Sequence, residues 1–535
     1  LDPDYITIQS GSGTASASGA SSFTTYENIL ESVASTTNID MVATSSITLN
    51  NSLSFTQTGG QSVSFTASTG NISFSNSSDK ITTSGGNIVM TAGGSLAVGA
   101  IDTNGGDITL AGDDFTLSGS LDAGTGTFTI LGKSGETIGL DGITASTNAS
   151  TVSTICNNTD CGLTLVQSEL SAITASKLVI GDSSSGDMYI DGVNLAHISG
   201  GVTLNSSGAN GSVNFGTGDS LLRLPTINAG NGITIGGNVT TELPSTFNAD
   251  YDGNGTGTFT MARIKALTSS GNQNISITAN EIDILGTISS GTGSTTIAVS
   301  DGGTIGLGGT SGNMTITDAE LSKITAGTLN IGNSSTGNIT VDGISAANSD
   351  NVGTVNLTTA SGSSVSFSNS NSTFNALAVN GGSTSFGNGL TIATDTGKFS
   401  LNSSAITSEG ALALTGATGI DFGAGVVFTG GGDVSMSTNS GDLVGVGAFT
   451  LTSTGNISLS ENLTTAGTTV IDTDSDGNGA GDFSIGTSTT LSTGNNSLTL
   501  TANDITVSGS ISSGTGSTTI AVSDGGTIGL GGTSG

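Results

Sequence analysis

The sequence predicts an all-β chain folded as a parallel β-helix, or β-solenoid, with rungs of roughly 20 residues. Three observations predict it: short segments alternate apolar with small polar residues, those segments recur at a near-constant spacing, and whole long blocks are duplicated.

The spacing is clearest around residues 87–130. Segments "NIVM", "DITL" and "TFTI" place Ile88, Ile108 and Phe128 20 apart, and Ile101 and Leu121 repeat the interval. "SLAV" and "DFTL" between them set Leu96 and Phe115 19 apart. Each segment has the period-two pattern of a strand with one buried face. A rung this short cannot close a core alone, but stacked rungs bury a continuous one, each strand pairing in parallel about 4.8 Å from its counterpart. Roughly 25 such rungs would form a rod about 120 Å long. Three prolines and 86 glycines suit this fold, because proline breaks a ladder and corners need left-handed backbone. A string of β-sandwiches is the competing architecture; at 4% aromatic residues the chain lacks their aromatic-rich cores.

The duplications set the domain expectations. "ISSGTGSTTIAVSDGGTIGLGGTSG" at 288–312 recurs letter for letter at 511–535. A looser third copy is "AGDDFTLSGSLDAGTGTFTILGKSGETIGL", 111–140, and "SELSAITASKLVIGDSSSGDMYIDGV" (168–193) pairs with "AELSKITAGTLNIGNSSTGNITVDGI" (319–344). The expected divisions are an N-terminal segment with a short helix at 1–50, solenoid at 51–287, a duplicated module at 288–510, and at 511–535 the start of a further repeat that a longer chain would continue. Three stretches depart from the strand pattern. "TTYENILESVAS", with Tyr26, Ile29, Leu30 and Val33 at helical spacing, predicts a short amphipathic helix, and the "ELSAITA" and "ELSKITA" blocks predict helical turns that act as local plugs.

Composition narrows the partners. Eight basic residues (Lys80, Lys133, Lys177, Arg223, Arg263, Lys265, Lys323, Lys398) face 41 acidic ones, a net charge of −33. Nucleic acid and anionic membrane are therefore poor partners, and cations good ones. No apolar run approaches the roughly 20 residues of a membrane span, and "LDPDYITIQS" has neither part of a signal peptide. The two cysteines, Cys156 and Cys161, suit a local disulfide in an oxidising compartment, since two alone cannot close a zinc site.

The phrase "TTYENILESVASTTNIDMVATSSITLNNSLSF" (24–55), followed by "GGNIVMTAGGSLAVGAIDTNGGDITLAG", resembles the repeats of large bacterial filamentous-haemagglutinin-type surface proteins. The "ELSKITAGTLNIGNSSTGNITVDGI" block is similar to ones in very large β-strand-repeat proteins of that general kind. The resemblance implies a right-handed parallel β-helix, secretion to the cell surface or beyond, and a role as adhesin, filament or surface coat. Expected partners are copies of the chain stacked head to tail, or cell-surface and matrix components including glycans. The secretion domain of that family is not evident in these residues.

One acidic stretch stands out in a chain with 9% charged residues: "DTDSDGNGAGD", 472–482. Asp472, Asp474 and Asp476 occupy alternate positions with Gly477 sixth, the spacing that turns successive side chains onto one calcium ion. Asn478 can add its carbonyl and Asp482 a closing carboxylate. The pattern argues against an EF-hand, because Phe483 stands where its last glutamate would and the flanking segments read as strands. In the duplicate, "NADYDGNG", Asn248, Asp250 and Asp252 match at an offset of 224 and Asn254 follows; Thr258 replaces Asp482, so weaker binding is expected there. Asp, Asn and Gly are also ordinary turn formers.

Catalytic patterns are sparse. "GKS" at Gly132–Ser134 has Thr127 where a phosphate loop needs glycine, and "DGGTIGLGG" lacks the strand–turn–helix setting of a dinucleotide site. His197 is the single histidine, so nucleophilic chemistry has no obvious base. Parallel β-helices include polysaccharide lyases and hydrolases, which is the alternative class; Arg263 and Lys265, near Asp250 and Asp252, are its candidates, though "MARIKAL" fits a half-exposed strand. Asn-x-Ser/Thr triplets at Asn71, Asn274, Asn313, Asn338, Asn356 and Asn456 are acceptors for glycosylation by pattern.

Overall fold

In the computed structural model, which describes residues 3–18, 21–141 and 161–528, the chain is a β-solenoid of about 20 turns with a few short helices. It divides into two compact units, the first of residues 1–279 with 284–289 and the second of 280–283 with 290–535. The Cys156–Cys161 pairing falls on Cys156, outside the described residues.

In the first unit the alternating segments stack as the sequence predicts. Ser62–Ala67 points Val63, Phe65 and Ala67 inward and the residues between them outward. Val63 pairs with Ile88, Ile88 with Ile108 and Ile108 with Phe128, so like sits on like through four rungs. The interval is 25, then 20 and 20. Elsewhere corners lengthen it: in the second unit Leu443 to Leu463 spans 20 residues, but Leu463 to Leu491 spans 28. Longer corners explain about 20 turns in place of the expected 25.

Corners are closed by a device that recurs. The Thr83 hydroxyl, buried in the core, donates to the Gly86 carbonyl at 2.6 Å, and the buried Thr394 does the same to Gly397 at 2.7 Å. This turns a polar side chain inward without leaving it unbonded, which would cost about 1–3 kcal/mol. In the first unit three successive corner glycines stack: a Cβ on Gly106 would lie 2.5 Å from the Gly86 carbonyl oxygen, and one on Gly126 2.5 Å from that of Gly106. Outside the core, asparagines bond along the stack, Asn228 to Asn205 at 2.8 Å in the first unit and Asn356 to Asn330 at 2.9 Å in the second. Phenylalanines stack inside it. Phe367 and Phe386 lie parallel at 5.1 Å, a contact worth about 0.5–1.5 kcal/mol beyond burial.

One supersecondary element interrupts the regular winding three times among the described residues. Tyr5–Gln9 pairs with Ser46–Leu49 ahead of it, but its other edge takes Ser22–Tyr26, a strand later in sequence that has folded back. Ile138–Asp141 is flanked in the same way by Met188–Asp191 and the folded-back Leu163–Val166, and Ile305–Gly308 by Ile339–Asp342 and Met314–Ile316. A one-turn helix follows each folded-back strand: Glu27–Glu31, Gln167–Ser171 and Asp318–Leu321. Each helix buries one leucine, Leu30, Leu170 or Leu321. The third starts with a capping box, Thr317 accepting from the Glu320 N–H while Glu320 accepts from the Thr317 N–H at 2.8 Å. The helices match the predicted stretches, whereas the folded-back strands before them carry no signal in the sequence pattern.

Candidate metal centre

Both aspartate loops occupy one kind of corner, each described within its own unit. In the first, Asn228 pairs with Asn248 across 20 residues, while beyond the corner Ile233 pairs with Phe259 across 26. In the second, Thr452 pairs with Asp472 across 20 and Ile457 with Phe483 across 26. Each loop is thus a six-residue expansion of an otherwise minimal corner.

The hydrogen bonding inside the two loops is the same. Asp474 Oδ1 accepts from the Asn478 N–H at 3.0 Å and its Oδ2 from the Gly479 N–H at 3.1 Å. Asp250 accepts from the Asn254 and Gly255 N–H groups at 3.2 and 3.1 Å. Asn478 Nδ2 donates to Asp476 and Asn254 Nδ2 to Asp252, both at 2.8 Å. Gly477 and Gly479 have φ of 64° and 74°, and Gly253 and Gly255 65° and 77°. At the neck, a Cβ on Gly481 would meet the Thr473 carbonyl oxygen at 1.5 Å, and one on Gly257 that of Ala249 at 1.8 Å.

These bonds centre the loops on Asp474 and Asp250, two residues later than the spacing of Asp472 and Asn248 predicts. Asp472 and Asn248 instead accept from the N–H of residues 474 and 250, each at 3.2 Å. Asp482 begins the next strand, its N–H bonded to Asn456 at 2.9 Å and its Oδ1 accepting from Asn503 at 3.1 Å. The set the structure brings together is Asp474, Asp476 and Asn478, matched by Asp250, Asp252 and Asn254. The residues that distinguish the copies, Asp472 from Asn248 and Asp482 from Thr258, stand outside it.

A further carboxylate that the sequence did not mark faces the second-unit loop. Asp524, in the turn Ser523–Gly525, lies so close that a Cβ on Gly477 or Gly479 would stand 3.3 Å from one of its oxygens. The Ser523 hydroxyl, near Asp474 but short of hydrogen-bond geometry, and then the N–H groups of Asn478 and Gly479 hold the Asp474 carboxyl below the usual carboxylate value. Burial opposes this. Among the described residues no group of three or more His, Cys, Asp or Glu side chains is arranged to hold a metal ion together. The loop offers two carboxylates and an amide oxygen, hard donors of the kind calcium takes, and each carboxylate keeps lone pairs beyond those engaged by the loop.

The other candidates do not converge. His197 and Arg263 are exposed, and Lys265 Nζ reaches the Thr217 carbonyl at 3.4 Å. Lys133 pairs with Asp113. Asp113 also faces Glu136, whose carboxyl is pushed up by burial and by that neighbouring carboxylate. Glu169, raised by burial, accepts from the N–H groups of Leu117 and Val166, both at 3.1 Å, which is a capping role. Among the described residues, no helix is long and apolar enough to cross a membrane.

No protein-family model matches this chain, and neither a curated protein nor a solved structure does. Its assignment is to a fold, a β-solenoid built from repeats.

Proposed function

We propose that the chain is an extracellular structural protein: a stretch of β-solenoid in a bacterial surface adhesin, filament or surface layer, with calcium stiffening the corners at Asp474 and Asp250. The observation that carries this reading is the duplicated loop. Two copies keep one carboxylate–amide arrangement and one six-residue expansion, while the residues around them diverge. The rest of the surface repeats small polar side chains along the stack, which suits length and contact with matrix or glycans better than chemistry. The filamentous-haemagglutinin type is the finer form of this reading and rests on the sequence resemblance.

Calcium would be held by Asp474, Asp476 and Asn478, with Asp250, Asp252 and Asn254 as the second set; bound there, it would neutralise neighbouring carboxylates and fix the loop. Removing calcium with a chelator is expected to lower the melting temperature and to raise proteolysis near residues 250 and 475. If melting and cleavage are the same in chelator and in calcium, the metal part is wrong. Release of oligosaccharide product from acidic polysaccharides would replace the structural reading with the enzymatic one.

A further inference from the structure

We propose that the outer face of the first unit carries a binding site for one neutral sugar residue, centred on Tyr189 and floored by Gly216. The inference rests on the structural reading and deepens it, by assigning contact with glycans to named residues.

A cavity of 200 Å³ opens on this face, lined among others by Tyr189, Asp191, Asn214 and Thr217. Two stacked strands set these residues in place. Met188–Asp191 turns Tyr189 and Asp191 outward, and Val213–Phe215 on the next rung sets Asn214 beside Tyr189. Gly216 follows and leaves the space open; a Cβ there would stand 2.9 Å from Asp191 Oδ1.

The second unit has the same face, and there the place is filled. Ile339–Asp342 and Ser364–Phe367 pair in the same register, so Thr340 stands for Tyr189, Asp342 for Asp191 and Ser366 for Asn214. The match continues past the strand, where Gly216 and Ser368 donate their N–H groups to the Ile190 and Val341 carbonyls. Ser368 thus occupies what Gly216 leaves empty. Asn369, the counterpart of Thr217, donates to Asp342 Oδ2 at 3.1 Å, and the Ser366 and Ser385 hydroxyls share a hydrogen bond of 2.8 Å. In the first unit Asp191 Oδ1 accepts from the Gly218 N–H, but its Oδ2 and the Tyr189 hydroxyl bond nothing among the described residues. Asn214 donates its amide to Ser212 at 2.8 Å, which leaves its side-chain carbonyl open. Since one scaffold forms with either set, the fold does not require Tyr189 or Gly216. What they add is an aromatic ring and a space beside it.

The groups around the space select the ligand. Asp191 Oδ2 and the Asn214 carbonyl accept, and the Tyr189 hydroxyl donates, its proton held because burial and then the nearby Asp187 push the phenol up. A ligand that serves two acceptors and a donor beside an aromatic ring carries several hydroxyls and an apolar C–H face, as a pyranose does. Charge narrows the choice further. Asp191 repels an anion, and Lys265, whose Nζ reaches the Thr217 carbonyl at 3.4 Å, repels a cation. A single sugar has about 12 non-hydrogen atoms, which at ordinary ligand efficiency sets a Kd on the order of 1 mM.

The test is saturation-transfer NMR on the intact chain with the methyl glycosides of glucose, galactose and mannose, one at a time at about 10 mM. At least one is expected to take up saturation from the protein, most strongly at the protons of one ring face. Tyr189→Thr and Gly216→Ser give the first unit the residues that the second already folds with, so both are expected to keep the parent's melting curve. Each is expected to cut the saturation at least about fivefold. No saturation of any of the three sugars by the parent, or saturation that survives both variants, overturns the proposal. So does tetramethylammonium taking up saturation that Tyr189→Thr removes while no sugar does; the space is then a cation seat. Melting and proteolysis in chelator are independent of all these outcomes, so the structural reading stands or falls separately.

Discussion

The neck of the aspartate loop gives the sharpest stability test. In Gly481→Ala the new Cβ would stand 1.5 Å from the Thr473 carbonyl oxygen and 2.3 Å from its carbon, atoms of the backbone that cannot swing aside. The neck must open by about 2 Å to reach an ordinary contact distance. Two bonds are then lost, Thr473 Oγ1 to the Gly481 carbonyl and the Asn503 N–H to that same carbonyl, both at 2.8 Å. At about 0.5–1.5 kcal/mol each, with a further 1–3 kcal/mol for the buried Thr473 hydroxyl left unbonded, the expected loss is about 2–6 kcal/mol. Because a solenoid loses cooperativity over its length, the loss should be read locally as well as globally. Urea unfolding and limited proteolysis across 472–482 are the assays. Gly362→Ala is the control: nothing lies within 4 Å of its Cβ and its φ is not positive, so a change within about ±0.5 kcal/mol is expected. If Gly481→Ala unfolds and is cut like Gly362→Ala, the loop is not closed at this neck.

Three smaller tests follow. Lys80 bonds Asp102 at 2.9 Å and holds its carboxyl below the usual value, so their contribution is present above about pH 4 and fades as pH falls through the lowered value; since both groups are partly exposed, Lys80→Met should cost under about 1 kcal/mol at pH 7, measured by urea midpoint. Glu169 is pushed up by burial, so its stabilising protonated form is present below about pH 4 and is lost as pH rises through the raised value; Glu169→Gln should melt higher than the parent at pH 7, with the gap closing on acidification. A constant gap would show that burial is not the cause. Ile264 is 90% exposed at φ 63°, a left-handed conformation that is costly for a β-branched residue, and Ile264→Asn is expected to raise stability by about 1 kcal/mol in the same urea assay.

The solenoid was legible in the sequence because its signal is local. Val63, Ile88, Ile108 and Phe128 announce strand, face and stacking partner through spacing alone. The fold-backs were not legible. "ELSAITA" and "ELSKITA" showed a helical turn, but that the strand before each returns to the free edge of an earlier strand is a pairing choice, and period-two alternation is silent about which edge a strand chooses. The loops are visible in the sequence, but its spacing places them two residues early. Three alternating aspartates make Asp472 look like the start of the loop, whereas the backbone N–H groups four and five residues past Asp474 bond to Asp474. A signal was present: Asp-x-Asp-Gly-Asn-Gly is common to both copies only when counted from Asp474 and Asp250. Asp524 had no such signal, since it reaches the loop through stacking, 50 residues away in sequence.

The fold-back also bears on how a chain like this can lengthen. A strand inserted into a continuous parallel sheet must match the register of the strand before it and the one after, and a mismatch of one residue turns the core outward. Ile138–Asp141 and Ile305–Gly308 avoid half of that demand, because each takes its first neighbour from its own downstream sequence. A duplicated block that begins with such a strand arrives with one sheet edge already satisfied. Recombination between the 288 and 511 repeats could therefore add or delete a whole block, and at that sheet the incoming copy would answer to its own residues rather than to those of its predecessor.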